Sequence, residues 1–276
     1  MTARSPGPPG KRESPGIGSQ APSKVNTTTA TEGGSKGKPL EWSGRLTVVA
    51  AVTNAIDRFT AHADALGPRW LYVRAAERAL TSRRDAARAA RRAGVRESRA
   101  EALEIATSII TNARSNIAST KVPPPVADAI EDAVLVTCWG RAAVPRSGYG
   151  RREIEDVPTV EEPPRLIRQA HVLARGLYAL GYHDQAVDQM MRRIALDSMP
   201  AARLAVLRAL AVEDGQTTTT VARAAGLHRF VAHRHCEDLA TVGVVDDLIA
   251  DDDRDHRWIL SGEEGDLIRR VVGAGS

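Results

Sequence analysis

Four stretches near the end of the chain decide its fold: Ser198-Met-Pro-Ala-Ala-Arg-Leu-Ala-Val-Leu-Arg-Ala-Leu210, Thr217-Thr-Thr-Thr-Val-Ala-Arg-Ala-Ala-Gly-Leu227, His228-Arg-Phe-Val-Ala-His-Arg-His-Cys-Glu-Asp-Leu-Ala-Thr-Val-Gly243 and Arg257-Trp-Ile-Leu260. Pro200 suits the first turn of a helix, where its missing N–H costs nothing. Leu204, Val206, Leu207 and Leu210 recur at helical spacing and give that helix one apolar face, and Gly215 is read as its end. Thr217, Thr218 and Thr219 offer N-cap hydroxyls to a short second helix through Val221, Ala222 and Ala225. Gly226 is the turn residue, read with positive φ, and Leu227 is placed behind the turn as a core plug. In a third helix Ala232, Cys236 and Leu239 share one face, while His228, Arg229, Phe230, His233 and Arg234 share the opposite, solvent-facing side. Gly243 ends it. Val244, Val245, Leu248 and Ile249 read as one strand and Trp258 to Leu260 as another, with Asp251, Asp252, Asp253 and Asp255 in the turn between.

Helix, helix, tight turn, helix and two-stranded ribbon resemble a winged helix-turn-helix, whose third helix enters a DNA major groove. The resemblance makes His228, Arg229, Phe230, His233 and Arg234 the candidate DNA-binding residues. Arginine suits the task because its fork pairs bidentately with guanine and with phosphate. A protein-docking role is the competing reading. The wing carries Asp246, Asp247 and the four turn aspartates, which repel a phosphate backbone, and Phe230 stands where DNA-binding winged helices usually carry a small hydroxyl residue. His233 and His235, two apart on a helix, point to different sides, so with His228, Cys236 and His256 they do not read as a metal site.

The chain of 276 residues is long enough for two modest domains. Only 4% of residues are aromatic against 42% hydrophobic, so the core is expected to be Ala, Leu, Val and Ile packed between helices. A net charge of +4 is compatible with nucleic acid without demanding it. Two distant cysteines, Cys138 and Cys236, argue for no disulfide framework and for a reducing cytoplasm. No apolar run is long enough to span a bilayer, so no membrane partner is expected. Lys11, Lys24, Lys36, Lys38 and Lys121 are the only lysines. That bias fits a GC-rich genome and weakens any reading of the Arg83–Arg99 helix as a phosphate track; a solvated face is preferred.

The pattern divides the chain into a disordered tail over 1–40, a two-strand α/β segment over 41–74, a helical domain over 75–198, the winged module over 199–262 and a C-terminal helix or tail over 263–276. Arg45 to Asn54 is a β-branched run read as a strand buried on both faces, Ala55 to Leu66 as a helix, and Arg69 to Arg74 as a second strand. Helices follow from Ala75 to Asn116, broken at Gly94, with Leu103, Ile105, Ala106, Ile109 and Ile110 expected inward. Further helices are read from Pro123–Pro125 to Trp139, from Pro163-Pro-Arg-Leu166 through Leu180, and over Asp184–Ser198, with a loop across 141–164. The fold class is therefore mainly α: a helical, lid-like domain with a small two-strand remnant and a C-terminal winged helix-turn-helix.

Leu46-Thr-Val-Val-Ala-Ala-Val-Thr-Asn54 resembles the fourth core strand of a bacterial AAA+ ATPase, with Asn54 or Thr53 at the sensor-1 place. Arg69 to Arg74 resembles the fifth strand, the following helices resemble the family's lid, and Pro163-Pro-Arg-Leu-Ile-Arg resembles its sensor-2 segment with Arg165 as the sensor. Two parts of the family pattern are missing. Gly33-Gly-Ser-Lys-Gly-Lys-Pro39 is one residue short of a P-loop and has proline in place of the hydroxyl residue, and no Walker B carboxylate precedes residue 45. The resemblance thus implies the C-terminal half of such an ATPase, truncated or split, with no cofactor of its own and ATP/Mg²⁺ only through a P-loop-bearing partner. No constellation for acid–base or nucleophilic catalysis stands out. The leading expectation is a non-catalytic DNA-binding protein, a regulator of transcription acting as a homodimer. The alternatives are a sensor and lid half completing an ATPase in trans, and a docking module.

Overall fold

The structure is a computed structural model that describes residues 48–52, 70–74, 80–92, 95–147, 153–156, 158, 160–248 and 256–273. The expected tail over 1–40, the helix over 55–66, Asn54 and the aspartate-rich turn at 251–255 lie outside the described residues. The chain divides into two units, 1–52 and 53–276. In the first, residues 48–52 form neither helix nor strand and are exposed, which corrects the doubly buried strand expected there. A β-branched run favours a strand only where partner strands cover it.

In the second unit the described residues are mainly helical, with one small sheet. The helices are α1 (Leu80–Arg92), α2 (Val95–Asn116), α3 (Pro124–Arg141), α4 (Pro164–Ala179), α5 (Asp184–Asp197), α6 (Ala201–Leu210), α7 (Thr218–Ala225), α8 (Arg229–Val242) and α9 (Gly262–Gly273). The strands are β1 (Gln216–Thr217), β2 (Val245–Leu248) and β3 (Arg257–Leu260). They form an antiparallel sheet in the order β1-β3-β2, with Gln216 opposite Trp258 and Val245 opposite Leu260. Among the described residues no helix is long and apolar enough to cross a membrane.

Two apolar cores meet at α3. Ile130, Val134 and Cys138 pack with Leu166, Ala170 and Ala174 of α4 and with Val187 and Met191 of α5. Ala133 and Val136 belong to a larger core with Leu204, Leu207 and Leu210 of α6, Val221 of α7, Cys236 and Leu239 of α8, Trp258 and Leu260 of β3, and Ile268 and Val272 of α9. Alanine lets these helices approach closely, and Trp258 is the one aromatic ring among the largest fully buried side chains.

The second expected strand is also corrected. Residues 70–74 are in no strand, because their backbone donors are satisfied by the end of α5 instead. The Tyr72 N–H donates to Ser198 Oγ (2.9 Å) and the Arg74 N–H to Asp197 Oδ2 (2.9 Å), while the Arg74 guanidinium donates to the carbonyls of Asp197 and Met199 (both 2.8 Å). A cation there satisfies orphan carbonyls and opposes the negative end of the helix dipole. α1 ends and α2 begins on either side of residues 93–94, where the break was expected. The expectation that α2 buries its apolar residues fails: Leu103, Ile105, Ile109 and Ile110 are all exposed.

Candidate functional site

Helix α8 is held by its two ends and its inner face. His228 caps it, its Nδ1 accepting from the Phe230 N–H at 3.4 Å. Before it, Thr217 Oγ1 accepts from the Thr220 N–H at 3.2 Å and starts α7. Gly226 ends α7 at φ +66°, and the Leu227 N–H closes back on the Ala222 carbonyl at 2.9 Å. A side chain at that φ is strained, so glycine sets the angle between α7 and α8. Gly243 ends α8 in the same left-handed region, at φ +88°. Ala232, Cys236 and Leu239 are completely buried against α6 and α7, as their spacing predicts. Helix α6 differs slightly from expectation: it ends at Leu210, Pro200 is its N-cap, and Gly215 lies in the turn before β1. The two-residue strand β1 was not foreseen.

The outer side of α8 carries the sequence-predicted residues unequally. His228, Arg229 and Arg234 are exposed, and Phe230 stands 71% exposed beside the His228 ring at 5.4 Å. His233 departs from expectation. It is half-buried, edge-on to the rings of His256 (4.6 Å) and Trp258 (5.7 Å), and so it fastens α8 to the sheet. His256 in turn stacks on Trp258, and its Nδ1 lies 2.6 Å from Asp247 Oδ2. Trp258 Nε1–H donates to Thr218 Oγ1 at 2.8 Å, joining β3 to α7. Asp247, expected to repel phosphate, is thereby paired, while Asp246 is exposed.

The acidic residues of α8, buried Asp238 and partly exposed Glu237, meet arginines that sequence reasoning missed. Asp238 accepts from Arg203 of α6 at 2.7 Å and from two nitrogens of Arg146 at 2.6 and 3.0 Å. Arg146 also donates to Glu237 at 3.1 Å and to the Arg234 carbonyl at 3.3 Å. Arg203 continues to the carbonyls of Gly140 (3.2 Å) and Ala142 (2.5 Å) at the end of α3. Burial on its own pushes the Asp238 carboxyl up, but the His235 ring, Arg203 and Arg146 outweigh it and hold the group below its ordinary value. Glu237 and Asp238 are the only carboxylates in α8. Both are engaged by Arg146 and Arg203, while Arg229 and Arg234 stand exposed. No local motif could have revealed this triad, since Arg146 and Asp238 lie 92 residues apart.

The two residues of the ATPase resemblance are not brought together. Asn54 is outside the described residues, and Arg165, in the first turn of α4, pairs with Glu161 at 2.5 Å. Among the described residues no three His, Cys, Asp or Glu side chains converge on a point where a metal could sit. Compared with protein-family models, with curated proteins and with solved structures, the chain finds no match.

Proposed function

We propose that α6, α7, α8 and the three-stranded sheet form a winged helix-turn-helix that binds duplex DNA through the outer face of α8. One observation carries the reading. The two carboxylates of α8 are engaged by Arg146 and Arg203, and Arg229 and Arg234 are exposed in its N-terminal half. That half is the part of a recognition helix that meets base edges. The positive end of the helix dipole adds to the attraction for phosphate.

The test is fluorescence anisotropy of the full chain with a labelled random-sequence duplex across a salt series. Binding weakens with salt, log K falling by about 0.9 per phosphate neutralised for each unit of log salt concentration. Arg229→Ala and Arg234→Ala each reduce the magnitude of that slope by about one if the residue meets a phosphate. Arg168→Ala, exposed on α4, leaves it unchanged. Absence of binding at low salt, or binding indifferent to salt, refutes the proposal.

A docking role is the second reading, and Phe230 favours it. A phenylalanine ring 71% exposed on the outer face suits an apolar pocket of a protein partner. Under that reading Phe230→Ala abolishes capture of the partner, and nuclease treatment has no effect. We do not adopt completion of an ATPase in trans, because Arg165 is engaged by Glu161 and the run at 48–52 forms no strand.

A further inference from the structure

Phe230 adds to α8 something that charge does not explain. Its ring is 71% exposed in the first turn of the helix. The His228 ring lies beside it, with centroids 5.4 Å apart and the planes tilted by 31°. The backbone between them is fixed by the Phe230 N–H, which donates to His228 Nδ1 at 3.4 Å. The charge around the ring selects what can cover it. From Gly215 to Cys236, through β1, α7, the turn and half of α8, the sequence contains no carboxylate. The same segment carries Arg223, Arg229 and Arg234, all three exposed. A cationic surface without acid complements a polyanion.

A duplex offers such a ring one kind of partner. Phosphates and the hydrogen-bonding edges of the bases call for donors or acceptors, which a phenylalanine side chain lacks. The apolar group that the major groove displays is the C5-methyl of thymine. We propose that Phe230 recognises thymine: its ring packs on a C5-methyl in the major groove and gives α8 a preference for an A·T pair there. The inference rests on the DNA-binding reading of α8 and adds which base that helix prefers. His228 narrows the positions open to the ring, so less side-chain freedom is lost on contact. A protein pocket is the competing cover, and the carboxylate-free, arginine-bearing surroundings favour nucleic acid over it.

Two labelled duplexes made of A·T pairs in mixed order, one with thymine and the other with uracil throughout, differ only in the C5-methyl groups. Fluorescence anisotropy of the full chain at low salt gives roughly 4-fold tighter binding to the thymine duplex, the effect of burying one methyl-sized group. Phe230→Ala brings the two affinities together. Its salt dependence stays that of the parent, because the ring neutralises no phosphate. Since the ring is exposed, the variant keeps the helical circular dichroism of the parent. Equal binding of both duplexes by the parent, or a thymine preference that survives Phe230→Ala, overturns the thymine contact and leaves the DNA-binding reading standing. Binding of neither duplex overturns both.

Discussion

Replacing Asp238 by alanine tests how α8 is held. The carboxylate is buried and accepts from Arg203 at 2.7 Å and Arg146 at 2.6 Å, and Arg203 is itself buried between α6 and the end of α3. Without Asp238 the Arg203 charge has only the Gly140 and Ala142 carbonyls as acceptors. Removing one partner of a buried, hydrogen-bonded pair costs about 3–5 kcal/mol, since the remaining charge stays desolvated. For a folded region of this size that lowers Tm by roughly 6–20 °C. Urea unfolding followed by far-ultraviolet circular dichroism measures it. A double-mutant cycle with Arg203→Met then shows strong coupling, because the methionine variant no longer leaves a charge to strand. The same group gives a pH signature. Its carboxyl is depressed in the folded state, so its contribution is complete above the unfolded value near pH ~4 and is lost as pH falls through the lower folded value. Asp238→Asn removes that part of the acid slope. A cost below about 1 kcal/mol for Asp238→Ala, or an additive cycle, refutes the account of α8 as clamped by buried charge.

The two thiols should be silent in the folded chain. Burial first, then the Glu161 charge, pushes Cys138 up to about 11, and burial first, then Asp247, pushes Cys236 up to about 12. A thiol-specific chromogenic reagent at pH 8 therefore titrates two groups in denaturant and none before unfolding; prompt reaction of the native chain contradicts the packing described. Because both thiols are held neutral, their contribution is full below the unfolded value, about pH 8.5, and is lost as pH rises toward the folded values. Gly226→Ala meets no atom within 4 Å but must adopt φ +66°, so it costs about 1–2 kcal/mol by conformation alone. Gly176→Ala, in α4 with equally open space and no positive φ, gains about 0.8–1 kcal/mol, and urea midpoints moving in the same direction for both would refute the assignment of the turn.

What could be read from the amino acids, and what could not, follows the range of the forces involved. The inner face of α8, its glycine ends and the turn before it are local: a 3.6-residue period and a left-handed glycine leave marks within one or two turns, and Ala232, Cys236, Leu239, Gly226 and Gly243 behave as those marks require. Strand pairing is not local. The run at 48–52 has the β-branched composition of a buried strand yet is exposed, whereas Gln216–Thr217, too short to show any alternation, pairs with Trp258 and Arg257. On α2 the apolar residues lie in a helix, as expected, but the inward face expected of Leu103, Ile105, Ile109 and Ile110 is not found. The candidate site divides the same way. Arg229, Phe230 and Arg234 were legible because exposure on a helix follows from spacing alone. His233 was misplaced because the rings that receive it, Trp258 of β3 and His256 just before it, lie more than twenty residues later. The largest omission is the pairing of Arg146 and Arg203 with Asp238: arginines from distant segments engage both acidic residues of α8, and nothing within the helix's own sequence signals it. Net charge counted along α8 is zero, with Arg229 and Arg234 against Glu237 and Asp238, and such a count cannot show that both carboxylates are engaged by residues from other segments.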